Sequence, residues 1–235
     1  MAINPQTKNP TKKVLGGDKT LRFTGQERLA HWVHAVAFFI LLFTGLSILG
    51  TFFAPVAGIF GGLAACRLIH RVVAVISVVV VLLLFFVGDT KGHWYWIKAV
   101  FTWGKADIQH IMTFPQEFFG GNTDGKFPPQ DKYNGGEKIN SLLTIFGSFF
   151  IAISGFIMWF APHFPAGLVR WAYPVHDLAA FIMATAITGH MYLAIIHPKS
   201  NPALKGIITG YVKTSFAKHH YGKWYDRIKN EQNLN

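Results

Sequence analysis

Residues 173–195 read YPVHDLAAFIMATAITGHMYLAI. Two histidines, His176 and His190, stand 14 positions apart in a run that is otherwise apolar. At 1.5 Å and 100° per residue they lie roughly 21 Å apart along a helix axis and within about 40° of one face. A helix of about 20 apolar residues spans a bilayer. This segment therefore presents one imidazole near each membrane surface, and ionisable groups at such depths are costly enough to mark a functional site.

The rest of the chain agrees with a membrane setting. Of 235 residues, 51% are hydrophobic and only 14% are charged, against about 25% charged in soluble domains. Four stretches qualify as spans: about 29–53, 68–87, 139–160 and 169–197. The expected fold is an all-α transmembrane four-helix bundle. It would have a long cytoplasmic loop between the second and third spans and an amphipathic C-terminal tail. The domain division is a tail over 1–23, a membrane domain over 24–225 and a short tail over 226–235. The first span is too long for a signal-peptide core and is expected to be retained. Thr24 followed by Glu27 is a capping box, so its helix should start near Gly25.

The net charge of +11 reflects topology, not nucleic-acid binding. Of the 22 Lys and Arg, all but Arg67, Arg71 and Arg170 lie in the two termini and the segment 88–138. The positive-inside rule places these regions, and both termini, in the cytoplasm. The single cysteine, Cys66, excludes an internal disulfide and a cysteine-ligated iron–sulfur cluster or zinc site within this chain.

Matching depths pair His31 in the first span with His190, and His70 in the second with His176. Bis-histidine b-type haems need such pairs, one imidazole on each side of the iron. A zinc or copper site needs more ligands crowded together. His34 and His197 compete with their neighbours as ligands. His219 and His220 read as a solvated or interfacial tail. Gly45, Gly155 and Gly189 offer close backbone approach to a macrocycle edge. Asp177 has either a role beside His176 or a place at a helix interface. A proton-coupled transporter with a histidine relay is the competing class, but the inverted repeats expected of one are not visible.

Several motifs carry a resemblance: RFTGQERLAHW at 22–32, RLIH at 67–70, KYNGGEK at 132–138, SGFIMW at 154–159, the quoted fourth span, and GIITGYVKTSFAKHHYGKWY at 206–225. Together they resemble the cytochrome b (gamma) subunit of respiratory formate dehydrogenases, a diheme anchor of the bacterial cytoplasmic membrane. The resemblance implies two haems b, an outer one on His70 and His176 and an inner one on His31 and His190. It implies an iron–sulfur subunit and a molybdenum or tungsten catalytic subunit as partners, with formate oxidation in the latter and no catalytic residue here. It also implies quinone reduction, of menaquinone or ubiquinone, near the inner haem, with Asn134, Gly136, Glu137 and His190 at the quinone. The related anchors of nickel–iron hydrogenase and of thiosulfate or polysulfide reductase share the diheme plan.

Overall fold

The computed structural model describes residues 15–123 and 125–233. Its elements run β1 (Leu15–Gly16), β2 (Lys19–Leu21), α1 (Gly25–Leu49), α2 (Ala54–Ile59), α3 (Leu63–Phe86), α4 (Lys91–Phe101), α5 (Lys105–Phe118), α6 (Gly135–Trp159), α7 (Ala166–Met191), α8 (Leu204–Thr209), β3 (Tyr211–Lys213), α9 (Thr214–His220) and α10 (Gly222–Asn233). Helices α1, α3, α6 and α7 are long and apolar enough to cross a membrane, and a π-helical turn over Tyr192–Ile196 extends α7.

Each of these helices begins three to five residues before the apolar stretch that announces it in the sequence. The physical reason is that a helix's first turn carries unsatisfied N–H groups and belongs at a polar boundary. In α1 and α6 these residues are polar or small, GQER and GGEK, and hydropathy alone misses them.

The apolar side chains face outward. Val72, Val75, Ile76, Val79, Leu82 and Leu83 of α3 are all exposed. This inverts a water-soluble core. In lipid, backbone groups are satisfied within the helix and apolar side chains can face the solvent.

The chain divides into two compact units. The first takes Lys91–Phe149, Thr185–Asn235 and the N-terminal residues to Gly25. The second takes Gln26–Thr90 and Phe150–Ala184.

In the first unit the segment before α1 is anchored, in contrast to the bare tail expected there. β2 pairs antiparallel with β1 and with β3, placing Thr20 opposite Val212. Residues 1–14 lie outside the described part of the chain. The C-terminal segment folds into α9 and α10, with Leu21, Val212, Ala217, Tyr221, Trp224 and Ile228 as a small buried core. The Lys223 and Trp224 amides donate to the Gln130 carbonyl, so α10 is docked on the loop before α6. Arg227 reinforces this by bonding both Asp131 carboxylate oxygens and the Tyr95 hydroxyl. Burial pushes the Asp131 carboxyl up, but the Arg227 bonds and charge outweigh it and hold it below its ordinary value of 3.8.

In the second unit Gln26, in the first turn of α1, closes the end of α3. Its amide donates to the carbonyls of Leu84 (2.8 Å) and Val87 (2.7 Å), and its oxygen accepts from the Asp89 N–H (2.6 Å). These are the carbonyls a helix end leaves open.

Because the Asp131 pKa is depressed on folding, its contribution to stability is present above the unfolded value and is lost as pH falls through the folded one. Protease protection of α10 should therefore hold at neutral pH and fall away below 3.8. Asp131→Asn should lose that protection at neutral pH, as limited proteolysis of the purified protein would show.

Candidate functional site

His70 on α3 and His176 on α7 meet in the second unit with ring centroids 6.3 Å apart and planes at 57°. Both rings are held by the same local device. The Thr44 hydroxyl donates to the Ile40 carbonyl one turn back on α1, and its oxygen lies 2.9 Å from His70 Nδ1. The Ser154 hydroxyl likewise donates to the Phe150 carbonyl on α6, and its oxygen lies 3.1 Å from His176 Nδ1. His176 Nδ1 also lies 3.0 Å from the Ile151 carbonyl, which only accepts. A hydroxyl whose proton is spent on its own helix offers an acceptor to a neighbouring group. Both imidazoles therefore carry the proton on Nδ1 and keep the Nε2 lone pair free.

The residue after each hydroxyl is glycine, for a steric reason. A Cβ at Gly45 would stand 3.3 Å from His70 Cε1, and one at Gly155 would stand 3.2 Å from His176 Cε1. Either methyl would press on the imidazole. These glycines thus make room for the imidazole rings. A Cβ at Gly189 would meet nothing within 4 Å.

The pair fits a bis-imidazole iron. With metal–nitrogen bonds of about 2 Å, two facing imidazole centroids stand roughly 6 Å apart. Fixing Nδ1–H on a neighbour is how proteins set the tautomer and orientation of a ligand histidine. Among the described residues no three His, Cys, Asp or Glu side chains converge as a metal cluster. Asp177 makes none of the hydrogen bonds to the His176 ring.

The other predicted residues fall as follows. His31 sits near the start of α1, edge-on to Trp32 at 5.2 Å, in the second unit. His190 sits near the end of α7 in the first unit, close enough to Glu137 to feel its charge. His197 is buried, with Nδ1 3.0 Å from the Ser200 hydroxyl and Nε2 3.4 Å from the Glu117 carbonyl. Both its nitrogens are engaged in closing the end of the fourth span, which removes it as a rival ligand. His219 is exposed. His220 is instead packed 4.3 Å from Phe216, and burial together with the His219 charge pushes its pKa down to about 4.

Asn134, Gly136 and Glu137 form the first turn of α6 in the first unit. Asn134 Oδ1 accepts from the Glu137 N–H at 2.9 Å, and Glu137 Oε2 accepts from the Asn134 N–H at 3.0 Å. This capping box, which sequence reading overlooked, satisfies two open donors at once. Its oxygen is spent, but the Asn134 amide N–H₂ is left as a donor. The Glu137 carboxylate also accepts two bonds from Arg22 (2.8 and 3.0 Å) and one from the Tyr221 hydroxyl (2.9 Å). Arg22 is 1% exposed, donates to the Lys132 carbonyl and lies 3.8 Å above the Tyr221 ring. Burial works against the Arg22 charge, but Glu137 and Tyr221 outweigh it and hold its pKa above the ordinary value.

Helix α5 lies across this turn. A Cβ at Gly135 would run into the Asp107 carbonyl, so backbone approaches backbone where no side chain fits. Lys138 ties the two helices through Asp107 at 2.8 Å.

Four helices long and apolar enough to cross a membrane, and a pair of tautomer-fixed imidazoles that could hold an iron between them, define a membrane protein of the kind that carries a histidine-ligated group. With one cysteine in the chain, the two-cysteine attachment of c-type haem is ruled out. The family model of prokaryotic cytochrome b561 matches residues 22–210, and the chain belongs to that family. It is 28% identical over 224 residues to the formate dehydrogenase cytochrome b556(fdo) subunit of Escherichia coli K12, covering 90% of this chain and 94% of that one. It is 29% identical over 210 residues to the nitrate-inducible formate dehydrogenase cytochrome b556(Fdn) subunit of the same strain, covering 86% and 88%. Against the formate dehydrogenase cytochrome b556 subunit of Haemophilus influenzae the identity is 27% over 215 residues, covering 88% and 82%.

Thr44→Val and Ser154→Ala each remove the acceptor that fixes a ligand ring. Losing such a partner costs roughly 10–100-fold in metal affinity. Each variant should lose haem during dilution and concentration while retaining its helical circular dichroism, as haem counted per polypeptide would report. Gly155→Ala should weaken retention in the same assay.

Proposed function

We propose that this chain is the diheme cytochrome b membrane subunit of a formate dehydrogenase complex, carrying electrons through the membrane to quinone. The observation that carries the reading is the His70–His176 pair, with both Nδ1 protons fixed on neighbouring helices and both Nε2 atoms free. The likeness to three formate dehydrogenase cytochrome b subunits along most of the chain supports the choice of complex.

In this reading His70 and His176 hold an outer haem b, and His31 and His190 hold an inner one. A bis-histidine haem supplies one-electron transfer with no bond made or broken on carbon. The protein's part is to fix the ligand rings, keep water from them and set their depth. A molybdenum or tungsten subunit oxidises formate to carbon dioxide, a proton and two electrons, and an iron–sulfur subunit delivers the electrons to this chain. Both termini and the segment 88–138 lie in the cytoplasm, as the basic residues flanking the spans indicate. Quinone binds at the first turn of α6, where the Asn134 amide donates to a quinone carbonyl and Gly136 leaves room for the ring. His190 bounds the site, and Glu137 holds the turn in shape. Each electron carried against a 100 mV potential is worth about 2.3 kcal/mol. Formate oxidation outside and proton uptake inside would store that energy as membrane potential.

A redox-titrated visible spectrum of the purified chain tests the first half of the reading. A b-type α band is expected, with two haems per polypeptide, falling to one in a His70→Ala or His176→Ala variant. Formate should reduce the band in the intact complex. Reduction by hydrogen but not formate would reassign the partner to a hydrogenase, and no absorbance beyond the protein band would overturn the cytochrome reading.

A further inference from the structure

His110 plays no part in the haem or quinone assignments above, yet its surroundings are unusual. It lies on α5 and is 9% exposed, and its Nδ1 is buried with no hydrogen-bond partner. A buried polar nitrogen without a partner is costly and calls for an explanation. The ring packs against Phe114 at 6.1 Å and Phe127 at 4.8 Å. Its Cε1, the carbon bonded to both ring nitrogens, lies 3.9 Å from where a Cβ at Gly136 would stand. The same point is 3.4 Å from Asn134 Oδ1. The His110 ring edge and the Asn134 amide oxygen thus both border the same point above the Gly136 backbone.

Quinone reduction needs protons as well as electrons, and the carboxylate nearest Asn134 cannot provide them readily. Glu137 already accepts from Arg22, Tyr221 and the Asn134 N–H. The other acids near His110 are committed too. Asp107 is paired with Lys138, and Glu117 accepts from the Thr123 hydroxyl with Lys199 3.7 Å away. Among the described residues at this turn, His110 presents a buried titratable nitrogen with no hydrogen-bond partner.

We propose that His110 is the proton carrier to quinone at the Asn134 turn, an inference that rests on the quinone site assigned above. The quinone takes two electrons from the reduced haem chain and two protons, so that each C=O becomes C–OH. Each proton transfer breaks one N–H bond of the His110 imidazolium and forms one O–H bond on the quinone. The neutral ring then regains its proton from bulk water. Burial lowers the His110 pKa below 6.5, while the charges of Glu137, Glu117 and Asp107 pull it back up. The imidazolium is present below that pKa, so proton delivery should weaken as pH rises through it.

The test uses the purified complex and two readouts. One is the binding of a hydroxyquinoline N-oxide quinone analogue, followed by quenching of its fluorescence. The other is oxidation of pre-reduced haem by a short-chain quinone in stopped flow. Asn134→Ala should weaken analogue binding roughly fivefold at all pH values, the effect of losing one hydrogen bond. His110→Gln should bind the analogue within about twofold of the parent at high pH but lose the tightening seen as pH falls. Its haem oxidation should slow by roughly 10²-fold, the usual scale of a lost general acid, and added imidazole should restore part of the rate. Parent-like rates and pH profile in His110→Gln would overturn the proposal even where Asn134→Ala behaves as stated. Unchanged analogue binding in Asn134→Ala would instead overturn the quinone site. Should His110→Gln not accumulate, the parent still decides: a rate that falls as pH rises through a value below 6.5 supports the proposal, and a flat profile refutes it.

Discussion

Hydrocarbon offers no hydrogen bonds, and that constraint organises the membrane part of this protein. An imidazole placed among apolar helices must find a partner for its N–H inside the protein. Thr44 and Ser154 meet that need from helices adjacent to those that carry the histidines. The satisfied Nδ1–H fixes the tautomer and leaves Nε2 uncommitted, so the partnership that makes burial tolerable also leaves the ring able to bind a metal. Gly45 and Gly155 follow from the same packing, because a hydroxyl can reach the ring only if the next residue yields space. The histidines, the hydroxyls and the glycines are therefore one device used twice.

The first unit works differently, through buried charge. Arg22 is almost fully enclosed, and its guanidinium joins the N-terminal segment, the Lys132 carbonyl, the first turn of α6 and the C-terminal Tyr221. Buried ion pairs give little net stability, but they fix geometry. Here the geometry fixed is the Asn134 turn. Glu137 is clamped from three sides, which holds the capping box and leaves the Asn134 amide nitrogen as the donor at that turn. The carboxylate is thus a positioning group, and any proton traffic belongs to a neighbour that is not clamped.

Much of this was legible in the sequence. Composition and four apolar runs specify a membrane protein, because the bilayer dictates length and polarity residue by residue. The 14-residue separation of His176 and His190 specifies two levels on one helix, because helical geometry is local. The partners of those rings were not legible. TG at 44–45 and SG at 154–155 are common dipeptides in membrane helices, and nothing in the one-dimensional pattern ties either to a histidine 22 or 26 residues away. His110 was hidden for the same reason, since an imidazole in a polar loop region carries no depth signal.

Four apolar runs read from the sequence are enough to give the number of candidate membrane spans and their approximate places, and the residue types available for iron. Those properties depend on local helix geometry and on transfer between water and lipid, which act on each segment separately. The tertiary structure settles which nitrogen of His70 and His176 is uncommitted, why residues 45 and 155 are glycine, and which titratable groups at the α6 turn are already committed. Those depend on contacts between segments distant in the chain, such as Arg22 with Glu137 and Thr44 with His70, and distance along a sequence carries no record of them.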